Sequence, residues 1–289
     1  MPAPFTRDLC GYRESNGKPN MSDAHDTQSV RLGARFLDVI GVDRSHLRPD
    51  QDGLTFERHI IERLQIARPD LKITNSGAAS DFSQYQHLKV FPDFRASYDR
   101  STDSMTEMTE LIVRLPDGAD RRRLARTAAK LSDGIDANLQ LVDSLIGLMP
   151  EESLLKVDVV VGVPQPDGEL PELAIALSAK WSLRTDRAQD CVSQGNKLVT
   201  QRRGRMPHFG VITAETRPSM LRILADGSGA VDWVYHLDLD SLAKAVDLEA
   251  QTARNPDTWS PKKTFDRLIG QKRLRDFDDL VRAVEALPG

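Results

Sequence analysis

The sequence has little cysteine and no long apolar run. Its 289 residues contain two cysteines, Cys10 and Cys191, which argues against a disulfide framework or a cysteine-based zinc site and fits a reducing cytoplasm. The longest apolar runs, such as 173–177, are far too short to cross a bilayer, and residues 1–9 include no apolar export segment. We therefore expect a cytoplasmic protein that has no membrane partner.

A strong net charge is also missing. The formal charge of −4 argues against indiscriminate binding of nucleic acid, although local basic patches can still attract DNA. Such patches occur at residues 121–123, 202–205 and 262–275. Each of them, taken alone, is equally well explained as the solvated face of a helix. Composition therefore does not choose between classes of function.

Several common catalytic motifs are absent. The sequence has no Gly-x-Ser-x-Gly turn, no phosphate-binding Gly-Lys-Ser/Thr loop and no His-Glu-x-x-His. Its six histidines are scattered, and none pairs with another at the spacing of metal ligands. These absences argue against serine hydrolases, P-loop enzymes and zinc peptidases.

The first half of the chain predicts an arm followed by helices. Residues 1–30 are rich in Asn, Ser, Asp, Gly and Pro, which is typical of an arm or extended loop. Apolar spacing predicts helices from about Val30 to Ile40 and from Gly53 onward. A long helix should carry the apolar residues that recur every three or four positions over 124–145, and it could kink at Gly134. We assign its apolar face to core packing.

The second half alternates strands and helices. Two β-branched or apolar runs, 154–162 and 173–181, flank a proline-rich turn and predict an antiparallel hairpin. A helix over about 186–201 should follow. The remaining prediction comprises a strand at 209–213, a helix at 218–224, a turn at 227–229, a strand at 231–237 and two closing helices. This order predicts an α/β fold with a mixed central sheet flanked by helices.

Two charged side chains lie in predicted apolar strands, where burial of a charge costs free energy. Asp158 interrupts the run Val157–Val161, and Lys180 ends the second strand of the predicted hairpin. An unpaired ion inside a sheet costs several kcal/mol, so each needs a partner, and the hairpin would let the two face each other near its open end. A simple ion pair explains them as well as catalysis does. A nuclease also needs this pair, because carboxylates hold a hard cation and a lysine acts on the attacking water.

The segment after Lys180 has the composition of a base-reading loop. Arg184, Asp186 and Arg187 surround a predicted helix start, for which Thr185 is the expected N-cap. Cations at a helix N-terminus oppose the macrodipole, so a purely structural role disfavours Arg187 there. Arginine donates two hydrogen bonds to guanine, and aspartate accepts one from cytosine. Such a unit could read two adjacent G·C pairs.

The residues from Ser178 to Gln189 resemble the signature of the NgoMIV-type restriction endonucleases, which cut at sites with a CCGG centre. The similarity covers the second half of the chain well and the first half in patches. Further matching residues are Gly53 to Glu57, Arg68-Pro69, Gly195, Leu198-Val199, Arg203 to Arg205, Pro207-His208, Thr213 to Glu215, Val234 to His236 and Lys272 to Leu274.

The resemblance implies a restriction-endonuclease-like (PD-(D/E)XK) core and a single domain over 1–289. It implies a Mg²⁺-dependent type II enzyme that cuts both strands of a palindrome with a CCGG core and leaves 5′ overhangs. The functional unit would be a homodimer on DNA, with a tetramer possible, in a prokaryotic cytoplasm. By position, Asp158 and Glu57 would bind metal, Lys180 would be the catalytic lysine, and the base-reading residues would be Arg184, Asp186 and Arg187.

This chain departs from the family pattern at two positions. The family's second carboxylate lies on the helix after the lysine, where this chain has Gln194, which we expect to be a weak or indirect member of the catalytic site. Met220 stands where a relative has an arginine for the outer base pair, and Asp23, on the N-terminal arm, is the other candidate for that pair. A methionine could contact a thymine methyl group. Ser178 and Gln194 both lack a carboxylate, so the alternative to a nuclease is a sequence-specific DNA-binding protein whose nuclease site has decayed. A more distant alternative is a metal-dependent enzyme that acts on a small phosphoester.

Overall fold

A computed structural model describes residues 2–49, 53–90, 93, 102–148, 155–226 and 229–289. The chain divides into two compact units, the first formed by Met1–Gln86 with Leu154–Gly289 and the second by His87–Ser153. The second unit interrupts the first in sequence, and the expectation of a single domain over 1–289 did not anticipate it. Within the described ranges, no helix is long and apolar enough to cross a membrane.

A six-stranded mixed sheet forms the centre of the first unit. Its strands, in spatial order, are β3 (Lys72–Ala78), β4 (Lys156–Val163), β5 (Glu172–Lys180), β6 (His208–Thr213), β7 (Trp233–His236) and β8 (Leu274–Asp276). β3, β4 and β5 pair antiparallel, whereas β5 to β8 pair parallel. A small parallel pair joins β1 (Tyr12–Arg13) to β2 (Leu47–Arg48). The predicted α/β class, the mixed sheet and the hairpin are confirmed.

Helices flank this sheet, and they follow the predicted pattern with two differences. The helices of the first unit are α1 (Thr6–Leu9), α2 (Thr27–Val39), α3 (Gly53–Ala67), α6 (Thr185–Gln201), α7 (Pro218–Ala225), α8 (Leu239–Gln251), α9 (Ser260–Gly270) and α10 (Phe277–Glu285). Three helices close the chain rather than two, with the short strand β8 between them. Arg184, not Thr185, is the N-cap of α6, without a side-chain cap bond. Residues 227 and 228 of the predicted turn lie outside the described residues.

The N-terminal residues do not form an extended arm, contrary to the expectation for 1–30. Their apolar side chains are buried in the first unit, including those of Phe5, Cys10 and Met21. The amide of Ala3 donates to the carbonyl of Leu237, and the indole Nε1 of Trp181 donates to the carbonyl of Asn20. These long-range bonds hold a segment that has no periodicity of its own.

The second unit contains α4 (Thr102–Arg114) and α5 (Ala119–Leu148). The predicted long helix is therefore present, and it continues through Gly134 without a break. Its assignment to core packing is wrong for three of the predicted apolar positions, because Leu124, Leu131 and Leu145 are 47–57% exposed, whereas Ala128 is buried. Periodicity identified the apolar side of α5 but not what covers it.

A buried histidine on β7 should make the fold sensitive to acid. His236 is fully buried against the ring of Phe36, and its Nδ1 accepts a hydrogen bond from the amide of Asp238. Burial lowers the pKa of His236 from 6.5 to about 4, so between these values the unfolded chain binds a proton that the folded chain does not. The free energy of unfolding should therefore fall as the pH drops through this window. We expect His236→Gln to remove up to about 3 kcal/mol of that loss, measured by urea unfolding at pH 7.5 and 4.5; equal losses in both proteins would contradict this assignment.

Candidate active site and DNA-binding surface

Asp158 and Lys180 meet at one end of the β4–β5 hairpin. The two strands pair with Val159 opposite Leu177, and this register continues to place Asp158 opposite Ser178. Since side chains alternate along a strand, Lys180 projects from the same face as Ser178. Lys180 Nζ lies 2.7 Å from Asp158 Oδ2, and both side chains remain about one-quarter exposed. The predicted pairing of the two charges is confirmed.

The two carboxylate oxygens of Asp158 differ in their surroundings. Oδ2 accepts hydrogen bonds from Ser178 Oγ at 3.1 Å, from the amide of Ala179 at 2.9 Å and from Lys180 Nζ. None of the described residues donates a hydrogen bond to Oδ1. The carboxylate is thus fixed through one oxygen, which leaves the other available to a ligand.

Ser178 occupies a fully buried position where a carboxylate would be costly. Cys191, on α6, donates its thiol to Ser178 Oγ at 3.4 Å. Burial raises the pKa of Cys191, so its thiol stays protonated and available as a donor. Ser178 therefore acts as a neutral link between Asp158 and α6, which agrees with the absence of an acidic residue there.

Gln194 and Glu57 lie on α6 and α3, two helices that contact these strands. Gln194 Nε2, on α6, donates to the carbonyl of Lys156 at 2.6 Å, two residues before Asp158 on β4. Glu57 is 8% exposed on α3, a helix that packs on β3, β4 and β5. In the described part of the chain, no group of three or more His, Cys, Asp or Glu side chains could hold a metal ion by itself. Any cation at Asp158 would thus need ligands beyond such a cluster.

The predicted base-reading residues lie at the exposed N-terminal end of α6. Arg184, Asp186 and Arg187 are all exposed, four to seven residues after Lys180. The only hydrogen bond recorded for these side chains within the described residues is a long one, from Arg187 to the carbonyl of Ser182 at 3.4 Å. Their polar groups are therefore available to a ligand.

Part of the N-terminal segment faces the same loop. A cavity of about 310 Å³ is lined by Asp23, Arg184 and Arg187, together with residues 181–183 and others from 13–25. The guanidinium of Arg13 donates to the carbonyls of Pro19, Asn20 and Ser22 and so fixes the shape of this segment. Asp186 and Met220 do not line the cavity; Met220 is partly buried on α7. The structure thus brings together three of the five predicted recognition residues.

A buried ion network, which the sequence analysis missed, anchors this loop. Arg217 Nε lies 2.9 Å from Glu215 Oε1, and its Nη1 lies 2.9 Å from Asp26 Oδ2. Arg217 Nη2 donates to the carbonyl of Leu183, whose amide donates to Glu215 Oε2. Both polar groups of the Leu183 backbone are therefore held immediately before Arg184. The sequence did contain a signal for this network: two opposite charges, Glu215 and Arg217, follow the buried strand β6 and are separated by one residue.

The electrostatics of this network favour its charged form. Although burial acts in the opposite direction, the bonds to Glu215 and Asp26 raise the pKa of Arg217. The pKa of Asp26 is lowered by hydrogen bonds from Ser29 and Arg217. Burial raises this pKa but does not cancel their effect. Because Asp26 also caps α2 through the amide of Ser29, the network ties the N-terminal segment to the base-reading loop.

Removal of Arg217 should destabilise the protein strongly. Glu215 is fully buried, and breaking a buried pair from one side costs about 3–5 kcal/mol. We expect Arg217→Ala to lower the free energy of unfolding in urea by that amount. Arg282→Ala is the matched control, because Arg282 is 62% exposed and pairs with Asp278 and Asp279; surface pairs contribute at most about 1 kcal/mol. Equal effects of the two substitutions would refute the anchoring role.

An acid–lysine pair at the end of a hairpin, followed at once by an exposed Arg-x-x-Arg loop, is an arrangement typical of nucleases. Comparison with known proteins agrees. Residues 132–284 match the family described as NgoMIV restriction enzyme. The type II restriction enzyme NgoMIV of Neisseria gonorrhoeae is 39% identical over 278 residues, which cover 92% of this chain and 89% of that protein.

The chain belongs to the NgoMIV restriction enzyme family. It is therefore a type II restriction endonuclease, a site-specific deoxyribonuclease acting on double-stranded DNA, and such enzymes use a divalent metal. A solved complex of the restriction endonuclease PspGI with substrate DNA aligns with 81% of this chain and 94% of its own at 15% identity. Its TM-score of 0.26 is too low to bear on the fold.

Proposed function

We propose that this enzyme recognises a palindrome with a CCGG core, cuts both strands there to leave 5′ overhangs, and acts as a homodimer with Mg²⁺ in a prokaryotic cytoplasm. The observation that carries the proposal is the short link between the two candidate sites. Lys180 ends β5, and Arg184, the N-cap of α6, follows four residues later. Glu215 and Arg217 fix Leu183 between them. The residues that read the bases and the residues that cleave the phosphodiester would thus be held at a fixed distance from each other.

The donor set at Asp158 fits Mg²⁺. This cation takes oxygen ligands, retains several waters and usually needs only one or two protein carboxylates besides the phosphate. Asp158 offers Oδ1, and Glu57 is the second candidate ligand by its matching position in the family pattern. A bound divalent cation would supply an activated water and would offset the charge that grows on the phosphate oxygens.

Lys180 is the proposed catalytic residue. Its ammonium group is held by Asp158 Oδ2 and remains partly exposed, so it could reach both the carboxylate and a phosphate at the surface. There it would orient the attacking water through Nζ and stabilise negative charge in the transition state. The backbone amide of Ala179, which donates to the same oxygen, restrains Asp158 while this happens.

Arg184, Asp186 and Arg187 are the proposed readers of the CCGG core. Each arginine would donate two hydrogen bonds to a guanine, and the aspartate would accept from cytosine amines. Asp23, across the cavity from the arginines, and Met220 are proposed for the outer pair, for which a methionine would favour a thymine methyl group and so an A·T pair. A palindrome read in this way needs two copies related by a two-fold axis. If dimers pair into tetramers, the enzyme should cut two-site plasmids faster than single-site ones.

Incubation with plasmid DNA and Mg²⁺ tests the proposal. Discrete fragments are expected from plasmids that contain the site. A band shift without cutting would instead identify a DNA-binding protein with a decayed nuclease site. The absence of both would favour a small phosphoester as substrate.

Gln194 offers a test of the proposed metal site. It lies on α6, the helix that reaches the Asp158 side of the hairpin, because Cys191 of the same helix donates to Ser178 Oγ, which in turn donates to Asp158. Gln194→Glu adds a carboxylate where the family pattern has one, so we expect half-maximal cleavage at a lower Mg²⁺ concentration. Gln194→Ala is the control, since it removes the bond to Lys156 without adding charge. If Gln194→Glu left the Mg²⁺ dependence unchanged, this position would have no part in the site.

A further inference from the structure

The N-terminal half of α5 has an exposed basic face. Arg123, Arg126 and Lys130 are spaced by three and four residues, so they lie on one side of the helix, within an arc of about 60°. All three side chains are exposed. The buried Ala128 lies on the opposite side of the helix. The three cations, which form the basic face, therefore point away from the side on which α5 is packed.

A surface groove of about 320 Å³ lies on this face. It is lined by the three cations and by Thr127. The hydroxyl of Thr127 donates to the carbonyl of Arg123 and is therefore bonded within the helix. The remaining polar groups of the groove are hydrogen-bond donors that carry positive charge. Such a groove fits an anion that accepts several hydrogen bonds, as a phosphate does.

The basic face has no acidic partner among the described residues. Asp120 and Asp133 lie three residues before Arg123 and three residues after Lys130, a spacing that allows ion pairs, but neither pair forms. Like charges three or four residues apart destabilise a helix. A structural role alone therefore disfavours this arrangement, whereas a bound anion would offset the repulsion.

The basic run at 262–275 differs in this respect. Lys262 Nζ lies 2.8 Å from Asp247 Oδ1, and Arg267 Nη2 lies 2.7 Å from Asp226 Oδ2. Cations of that run are thus neutralised by acidic residues of the same chain. The sequence shows a high density of positive charge in both runs, and only the structure distinguishes the paired cations from the unpaired ones.

Duplex DNA is the polyanion that this enzyme must hold. Because the net charge of the chain is −4, attraction of DNA depends on local positive surfaces. Arg123 and Lys130 are seven residues apart, which is about 10 Å along a helix. Over about that length one strand of DNA presents three phosphates. The number and spacing of the cations therefore fit a short stretch of DNA backbone.

We propose that the basic face of α5 binds the phosphates of duplex DNA without reading its bases. The second unit of the protein would thus contribute affinity, while the loop at 184–187 contributes specificity. This inference goes beyond the proposed function, which gives the second unit no role. It also does not depend on which sequence the enzyme recognises.

The salt dependence of binding to a scrambled duplex that lacks CCGG tests the proposal. The logarithm of the binding constant falls with the logarithm of the salt concentration, with a slope of about −0.9 for each phosphate neutralised. Without divalent metal, we expect Arg126→Ala to make this slope less steep by about 0.9. The triple variant Arg123→Ala, Arg126→Ala, Lys130→Ala should make it less steep by about 2.7.

Two controls accompany these variants. Arg126→Lys keeps the positive charge and should restore the wild-type slope, which shows that the effect comes from charge and not from altered folding. Arg114→Ala removes an exposed guanidinium of the same unit that already pairs with Glu110 at 3.6 Å. It should leave the slope unchanged.

A second measurement separates phosphate contacts from base reading. Loss of a phosphate contact weakens binding to all sequences about equally, so the triple variant should keep the wild-type preference for CCGG over scrambled DNA in Ca²⁺. An unchanged salt slope in the triple variant, or a loss of that preference, would overturn the proposal. A wild-type protein without preference for CCGG would count against the proposed function alone, because the slope is measured on scrambled DNA.

Discussion

Replacement of Lys180 by alanine is expected to reduce DNA cleavage by at least about a thousandfold. A positioned proton-transfer group contributes a factor of about 10²–10⁴, and one group that stabilises transition-state charge contributes about 10²–10³. Specific DNA binding should survive, because the ammonium group pairs with Asp158 and not with the loop at 184–187. Single-turnover cleavage and a gel-shift titration in Ca²⁺ would measure the two quantities. Asp158→Ala should give the same pattern, because it removes the carboxylate that is proposed to hold the metal.

The control for these variants is Lys244→Ala. Lys244 is an exposed lysine on α8, far along the chain from both candidate sites, and its loss should change neither rate nor affinity. A Lys180→Ala enzyme that kept more than about a tenth of the wild-type rate, a difference of only ~1.4 kcal/mol in activation free energy, would show that the lysine has another role.

The second large effect is expected from Arg187→Ala. A bidentate contact from arginine to guanine contributes about 1–3 kcal/mol of discrimination. In a symmetric dimer both halves lose it, so preference for CCGG over scrambled DNA should fall by about 2–6 kcal/mol and approach the non-specific level. Competition binding with duplexes that differ only in the central four pairs would measure this ratio. Arg184→Ala should act similarly.

An arginine that contacts only phosphate would behave differently. Its removal weakens binding to all sequences about equally and leaves the ratio intact. Arg254→Ala, which removes an exposed guanidinium beyond the end of α8, serves as the control for charge alone. If Arg187→Ala bound CCGG and scrambled DNA with the wild-type ratio, recognition would have to be assigned elsewhere.

The central hairpin could be predicted from sequence because its signal is local. β4 and β5 are largely buried on both faces, so they are nearly continuous apolar runs, and two charged residues that break the pattern at one end of the hairpin, Asp158 and Lys180, each needed a partner. The paired charges were therefore predictable. Their surroundings were not, since Ser178 and Cys191 meet only when α6 folds back over the hairpin.

The predictions from sequence were wrong where hydrogen bonds between distant residues determine the structure. Residues 2–30 lack periodicity, yet Arg13, Asn20 and Trp181 connect them to one another and to the end of β5. Thr185 has the better side chain for an N-cap, but α6 begins after Arg184 because Glu215 and Arg217 fix the preceding backbone. Neither effect leaves a pattern in neighbouring residues.

Sequencing of the DNA ends produced by this enzyme tests the central claim most directly. Random genomic DNA would be digested with Mg²⁺, and both strands would be mapped at every break. We predict that all ends fall within one palindrome that contains CCGG, with 5′ overhangs of one length and equal cutting of the two strands. Ends that share no sequence, or that centre on a different tetranucleotide, would contradict the assignment of Arg184, Asp186 and Arg187 as readers of CCGG.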